Sequence, residues 1–112
     1  MEYRKSIQVG GQEISVRLIN GCRVANGCEH IACYDRESNT IDVSTIQADG
    51  TLRHLDFINE ALLHEYIEAI KEVYKVSIDE DDIDRVAQGI MHILKQYNFR
   101  FIKGDKDGKM QT

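Results

Sequence analysis

The sequence predicts an α+β domain in which a small strand-rich half, made of two hairpins, packs on two helices. Two observations predict it: apolar residues alternate with polar ones before about residue 50, and recur every three to four residues after it. The first period is typical of half-buried strands and the second of amphipathic helices. A chain of 112 residues is long enough for one domain with its own core.

Both predicted hairpins lie in the first half of the chain. Residues 6–18 alternate between polar and apolar side chains on either side of the Gly10–Gly11 pair. Two glycines can adopt the positive φ of a two-residue hairpin turn. A second hairpin is predicted from residues 30–34 and 40–44, joined by the polar segment DRESN. Residues 20–28 are rich in Gly and Asn and are expected to form a loop.

Both predicted helices lie in the second half of the chain. The first begins near Leu55, and its apolar side chains cover nearly half of the circumference, which predicts a helix anchored in the core. The second is predicted from about Asp79 to about Tyr97, and Ser77 and Asp79 both suit its N-cap. The apolar positions of the first helix are Leu55, Ile58, Leu62, Leu63, Tyr66, Ile67, Ala69, Ile70, Val73 and Tyr74, and those of the second are Ile83, Val86, Ala87, Ile90, Met91, Ile93, Leu94 and Tyr97.

The C-terminal residues carry weaker signals than the helices. The segment FRFI after Asn98 is interpreted as a short terminal strand. The last residues, KGDKDGKMQT, have no apolar pattern and are typical of a frayed terminus. We therefore place a single domain at residues 1–102 and a disordered tail at residues 103–112.

Composition restricts the class of function. The chain has 14 Lys and Arg against 19 Asp and Glu, a net charge of −5, which disfavours nucleic acid as a partner. No apolar run is long enough to span a bilayer, so no membrane association is expected. The first ten residues lack the apolar core of a signal peptide, which favours a cytoplasmic location.

Three cysteines lie close together, at Cys22, Cys28 and Cys33. In a chain without a secretion signal they are interpreted as reduced thiols. The alternative is a metal site that also uses His30. Their spacing differs from the paired Cys-x2-Cys pattern of structural zinc sites, so the signal for metal is weak.

The segment LLHEYIEAI carries the candidate chemistry. His64 and Glu68 are four residues apart on a predicted helix, so both side chains emerge on one face and can reach one divalent ion. Glu65 lies further round, where its carboxylate can accept a proton from metal-bound water. The pattern is that of the zinc peptidase motif H-E-x-x-H with Glu in place of the second His. The alternative is a solvated polar face, because His64 and Glu68 lie opposite the apolar arc.

Glu80 is the predicted third metal ligand. It lies at the edge of the second helix's apolar row, so its carboxylate is expected at the seam where that helix packs. Two local alternatives stay open. Five acidic residues within 79–84 suit the positive end of the helix dipole, and Glu80 can close a capping box with Ser77. A neighbouring Asp, or His30, is a further alternative for the third ligand.

The segments ALLHEYIEAI and SIDEDDIDRVAQGIMHILKQYN together resemble a family of small phage- and prophage-encoded zincin-like proteins. The match covers roughly residues 55–98, about two-fifths of the chain. The resemblance implies a gluzincin-like fold with a divalent metal between two helices, zinc being favoured over manganese or no metal. Metallopeptidases that cleave phage repressors are distantly similar. The matching positions are His64, Glu65, Glu68, Ala69, Ile70, Glu80, Ile83, Val86, Gly89 and Asn98.

The chain departs from the family at two ligand positions. Glu68 stands where the standard zincin has its second His, and members with this Glu often carry a His where Glu80 lies. Two carboxylates would leave a divalent ion near neutral, which raises the pKa of bound water and makes Mn²⁺ more competitive. We expect a metal-dependent, peptidase-like protein that acts on a peptide or protein, with Glu65 as general base. The alternative is a non-catalytic phage or prophage binding or regulatory module with the same fold.

Overall fold

The structure is a computed structural model that describes residues 3–20 and 31–103. The loop predicted at 20–28 lies, after its first residue, outside these ranges, as do Cys22, Cys28, His30 and the predicted tail from residue 104. No helix in the described ranges is long and apolar enough to cross a membrane. The elements are β1 (Tyr3–Val9), β2 (Gln12–Ile19), β3 (Ala32–Asp35), β4 (Thr40–Ser44), α1 (Leu55–Tyr74) and α2 (Glu80–Gln96).

The four strands form one mixed sheet in the order β1-β2-β4-β3. Within each predicted hairpin the strands pair antiparallel, and the α+β class is confirmed. The two hairpins are joined by a parallel pairing of β2 with β4, in which Val16 lies opposite Ile41. The sequence did not predict this pairing, because period and turn signals report contacts within a hairpin and not between hairpins.

The turn of the first hairpin lies at the predicted glycines. Val9 pairs with Gln12, which leaves Gly10 and Gly11 as a two-residue turn. Gly10 has a φ of 58°, and a Cβ added there would lie 2.7 Å from Cγ1 of Val73. Gly10 is therefore required both by the backbone conformation and by the close packing of the turn on the end of α1.

Helix α1 packs against the sheet on one side and against α2 on another. Its Ile58, Leu62 and Ala69 belong to the main core. Its Leu63 and Ile67 belong to a second cluster, which it shares with α2. The sheet contributes Ile14, Val16, Leu18, Ile41 and Val43 to the main core, and α2 contributes Ile83, Ala87 and Met91 to the second cluster.

The predicted apolar rows are wider than the faces that the fold buries. On α1, Ile70 and Tyr74 are exposed, although their positions predicted core. On α2, about half of the predicted row is exposed as well. Among the described elements, α2 packs mainly on α1, and one neighbouring helix covers only a narrow strip of its surface.

Helix α2 begins with one of the two predicted caps. The N-cap is Asp79, whose carboxylate accepts a hydrogen bond of 2.8 Å from the amide of Asp82. Glu80 is the first helical residue, so the alternative in which Ser77 and Glu80 form a capping box is wrong. Asp79 takes the cap because its own backbone is extended, with ψ of 164°, while its side chain reaches the first turn.

The segment FRFI does not form the predicted terminal strand. Its last residue is buried, and the side-chain amide of Asn59 takes the place of a strand partner. The Ile102 amide donates to Oδ1 of Asn59 at 2.8 Å, and Nδ2 of Asn59 donates to the Ile102 carbonyl at 2.9 Å. The Phe101 ring meets the Tyr66 ring edge-on, with centroids 5.1 Å apart. The segment is therefore held by α1 rather than by the sheet.

Two glycine-to-alanine substitutions are expected to change stability in opposite directions. Gly89→Ala should raise the free energy of unfolding by about 0.5–1 kcal/mol, because Gly disfavours a helix interior and open space surrounds this position. Gly10→Ala should lower it by about 1–3 kcal/mol, because φ is positive and Val73 lies too close. Urea unfolding followed by circular dichroism measures both changes. Equal effects of the two substitutions would contradict the described turn.

Candidate metal centre

The structure brings His64, Glu68 and Glu80 together. His64 and Glu68 lie one turn apart on α1, and Glu80 is the first residue of α2. One ligand-type atom from each residue lies within 4.8 Å of the other two. These are the three side chains that the sequence proposed as metal ligands. The helix pairing that joins them depends on Leu63 and Ile67, which hold α2 against α1.

The imidazole of His64 lies between two carboxylates of α2. Its Nε2 is 3.2 Å from Oε2 of Glu80, and its Nδ1 is 3.0 Å from Oδ1 of Asp84. The side chain of His64 is only 18% exposed. The interpretation of this part of α1 as a solvated polar face is therefore wrong for His64, because the first turns of α2 cover it.

Asp84 is a site residue that the sequence interpretation missed. It lies four residues after Glu80, so both carboxylates project from the same face of α2. That spacing was visible in the sequence, but it was hidden among the other acidic residues of the first turn. Only the pairing of α1 with α2 distinguishes Asp84 from Asp81, which does not contact His64.

The carboxyl groups of Glu68 and Glu80 lie close together, and both of their pKa values are shifted. Burial raises the pKa of Glu68 to about 7, and its hydrogen bond with Glu80 and the nearby negative charges add to this effect. The same hydrogen bond holds the pKa of Glu80 below its ordinary value. Glu68 therefore keeps a proton to a higher pH than an ordinary glutamate and donates it to Glu80.

The pKa of His64 is raised above its ordinary value. Burial acts to lower it, but the charge of Glu65 and the hydrogen-bonded carboxylates of Asp84 and Glu80 outweigh that effect. The raised pKa values of His64 and Glu68 mean that the converging acids favour protonation of both side chains. A divalent cation would supply the same neutralisation, and one imidazole nitrogen with two carboxylate oxygens is a donor set that suits Zn²⁺ or Mn²⁺. The residues fit such an ion.

Glu65 lies on the side of α1 that faces the sheet. It is buried, and its Oε1 accepts a hydrogen bond of 2.9 Å from the backbone amide of Tyr34 in β3. This bond joins the helix to the edge strand. Glu65 also lines an open cavity of about 190 Å³ together with His64 and Asp84. The other residues that line the cavity are Ile31, Ala32, Phe57, Glu60 and Ala61.

The cysteine site proposed as an alternative is only partly within the described chain. Cys33 lies half-buried in β3. Within residues 3–20 and 31–103, His64, Glu68 and Glu80 are the only group of three or more His, Cys, Asp or Glu side chains close enough to share an ion. Cys33 is therefore not part of such a group among the described residues.

Comparison with known proteins gives no match. No protein-family model, curated protein or solved structure matches this chain. The resemblance of the motif residues to small zincin-like proteins therefore stays a prediction.

In metal-free protein the Glu68 carboxyl is expected to titrate near pH 7, because burial and the neighbouring acids disfavour its charge. Glu80→Gln should lower this pKa, but not to the ordinary value, because burial is the larger cause and remains. NMR titration of the side-chain carboxyl carbons measures both. Asp81→Asn removes a charge from the same turn without touching Glu68 and should leave its pKa unchanged. Ordinary titration of Glu68 in the parent would contradict the described hydrogen bond.

Proposed function

We propose that the chain is a zincin-like, metal-dependent peptidase whose divalent ion is held by His64, Glu68 and Glu80. The observation that carries the proposal is the convergence of these three side chains within 4.8 Å from two different helices. The layering supports it as well, because the helix that carries the H-E-x-x-E motif packs on a small sheet. Zn²⁺ is the favoured ion and Mn²⁺ the alternative, since two of the three donors are carboxylates.

Glu65 is the proposed general base. When bound, a divalent ion supplies Lewis acidity, which polarises water and the scissile carbonyl of a peptide. The Glu65 carboxylate lines the cavity beside His64, where it can take a proton from water and pass it to the leaving amine. The hydrogen bond from the amide of Tyr34 fixes the orientation of this carboxylate.

Asp84 is the proposed positioning residue for His64. It contacts Nδ1 of the imidazole, which leaves Nε2 on the side of Glu80. A carboxylate bound to the second ring nitrogen of a ligating His fixes its tautomer and ring orientation. Asp84 would therefore act through His64 and not on the substrate.

The second candidate is a non-catalytic binding or regulatory module in a phage or prophage context. One observation favours it: Glu68 and Glu80 share a hydrogen bond, so the acids are partly neutralised without a cation. The carboxylate-rich donor set also activates water less than a set with two imidazoles. The two candidates differ in hydrolysis and agree on the fold.

Purified protein is expected to bind one Zn²⁺ or Mn²⁺ per chain, measured by elemental analysis and by calorimetric titration. His64→Ala should abolish binding. Asp84→Asn should weaken it about 10–100-fold, because the ligand loses its orienting partner. Asp81→Asn is the matched control, since it removes an exposed acid from the same helix and should leave affinity unchanged. Equal loss of metal affinity in Asp81→Asn and Asp84→Asn would show that binding depends only on the overall negative charge of α2.

Metal-loaded Glu65→Gln is expected to keep its ion and to lose peptide hydrolysis by at least about 100-fold, because the amide cannot accept the proton. Mass spectrometry of a peptide library after incubation measures cleavage. Glu60→Gln removes a charge from another residue of the same cavity and serves as the control. Metal-loaded parent protein that cleaves nothing would favour the non-catalytic module, and unchanged cleavage by Glu65→Gln would refute the base role.

A further inference from the structure

Helix α2 carries an exposed apolar stripe along one flank, beside the face that packs on α1. Val86, Ile90, Ile93 and Tyr97 are 46%, 37%, 55% and 79% exposed. Their spacing of four, three and four residues places them on one side of the helix. A contiguous exposed apolar surface of this kind is typical of an interaction site.

The stripe lies apart from the candidate metal centre. The buried face of α2 runs along Ile83, Ala87 and Met91, and the stripe adjoins this face on one flank. Glu80 and Asp84, which contact His64, project toward the opposite flank. An occupant of the stripe would therefore leave the cavity beside His64 open.

We propose that the stripe binds the same stripe of a second copy of this chain, with the two α2 helices antiparallel across a two-fold axis. The stripe is symmetric about a point between Met91 and His92. Antiparallel pairing about that point places Val86 opposite Tyr97 of the second copy, and Ile90 opposite Ile93. A two-fold contact requires such a self-complementary pattern.

Charge complementarity supports the second copy and its direction. The first turns of α2 carry the acidic residues Glu80, Asp81, Asp82 and Asp84, of which Asp82 pairs with Arg85 at 2.7 Å, so this end keeps a negative charge. Lys95, Arg100 and Lys103 lie at or beyond the last turn. Lys95 and Arg100 share the single carboxylate of Asp56, so this end keeps a positive charge. Antiparallel helices place acid opposite base, whereas parallel helices would place acid opposite acid.

Gly89 supplies a second argument for a helix crossing near this point. It is exposed in the middle of α2, and no atom lies within 4 Å of the Cβ that another residue would have there. Glycine disfavours helices, and no contact within the described chain requires it here. Gly89 borders the stripe within one turn of the two-fold axis, and its missing side chain lets two helices approach closely.

The expected dimer is weak. One pair of helices of this length buries less surface than the roughly 800 Å² per partner of a standard stable interface. Monomer and dimer are therefore expected to exchange rapidly.

Sedimentation velocity of the full chain at increasing concentration tests the proposal. The expected result is a monomer at low micromolar concentration and a growing fraction of dimer above it. Ile93→Glu and Tyr97→Glu should each weaken association by at least about tenfold, because a charge would be buried in the contact. Both side chains are exposed, and circular dichroism checks that the variants fold. Gln88→Glu adds the same charge on another side of α2 and should not weaken association.

Three outcomes would overturn the dimer. A parent that stays monomeric at several hundred micromolar would leave the stripe to another partner. Undiminished association of Ile93→Glu and Tyr97→Glu would show that the contact lies elsewhere. Equal weakening by Gln88→Glu would show that the added net charge, and not its position, weakens association.

Charge reversal tests the direction of the helices. Asp82 flanks the stripe, and Asp81 lies in the same turn on another side of α2. Asp82→Lys should weaken an antiparallel dimer severalfold, because it places a positive charge near the basic end of the second copy. Asp81→Lys should have a much smaller effect. Tighter association of Asp82→Lys would overturn the antiparallel arrangement, since a parallel pair would be relieved of repulsion.

Discussion

The packing of α1 on two sides is the constraint on which the rest of the structure depends. One side of the helix closes the main core against the sheet, and a second side closes a smaller core with α2. A helix that is covered on two sides has little free circumference, so polar residues between the two faces must lie in the seams. His64 and Glu68 lie in the seam with α2, and Glu65 lies in the seam with β3. The candidate site is therefore a consequence of where α1 is covered.

The electrostatics of the seam explain why its acidic groups behave unusually. Carboxylates that converge in a partly buried place lose solvation and repel one another, which raises the pKa of Glu68 to about 7 and favours its hydrogen bond with Glu80. A divalent cation between the carboxylates would reduce this repulsion further, and this supports the proposed metal site. The same carboxylates neutralise the cation, and this makes hydrolysis a more demanding proposal than metal binding. Part of the net charge of −5 therefore lies on the carboxylates that converge around His64.

Helix α2 has two different roles on its two flanks. One flank turns Glu80 and Asp84 toward His64, and the other presents the apolar stripe that begins at Val86. The sequence interpretation assigned the whole apolar row to the core, because a hydropathy pattern records which side chains avoid water and not what covers them. Asn59 is a related case, since it is a polar residue inside the core that closes the fold by binding the backbone of Ile102. No periodicity signals that role.

The sequence by itself determined the features that depend on neighbouring residues. The bounds of both helices, the turn at Gly10 and Gly11, and the shared face of His64 and Glu68 follow from period, spacing and the conformational range of glycine. Tertiary structure alone decided the parallel pairing of β2 with β4, the contact of Asp84 with His64 and the burial of Glu65 against β3. These contacts join residues that are distant along the chain. These long-range contacts depend on which surfaces meet when the core forms, and a local sequence pattern does not predict that.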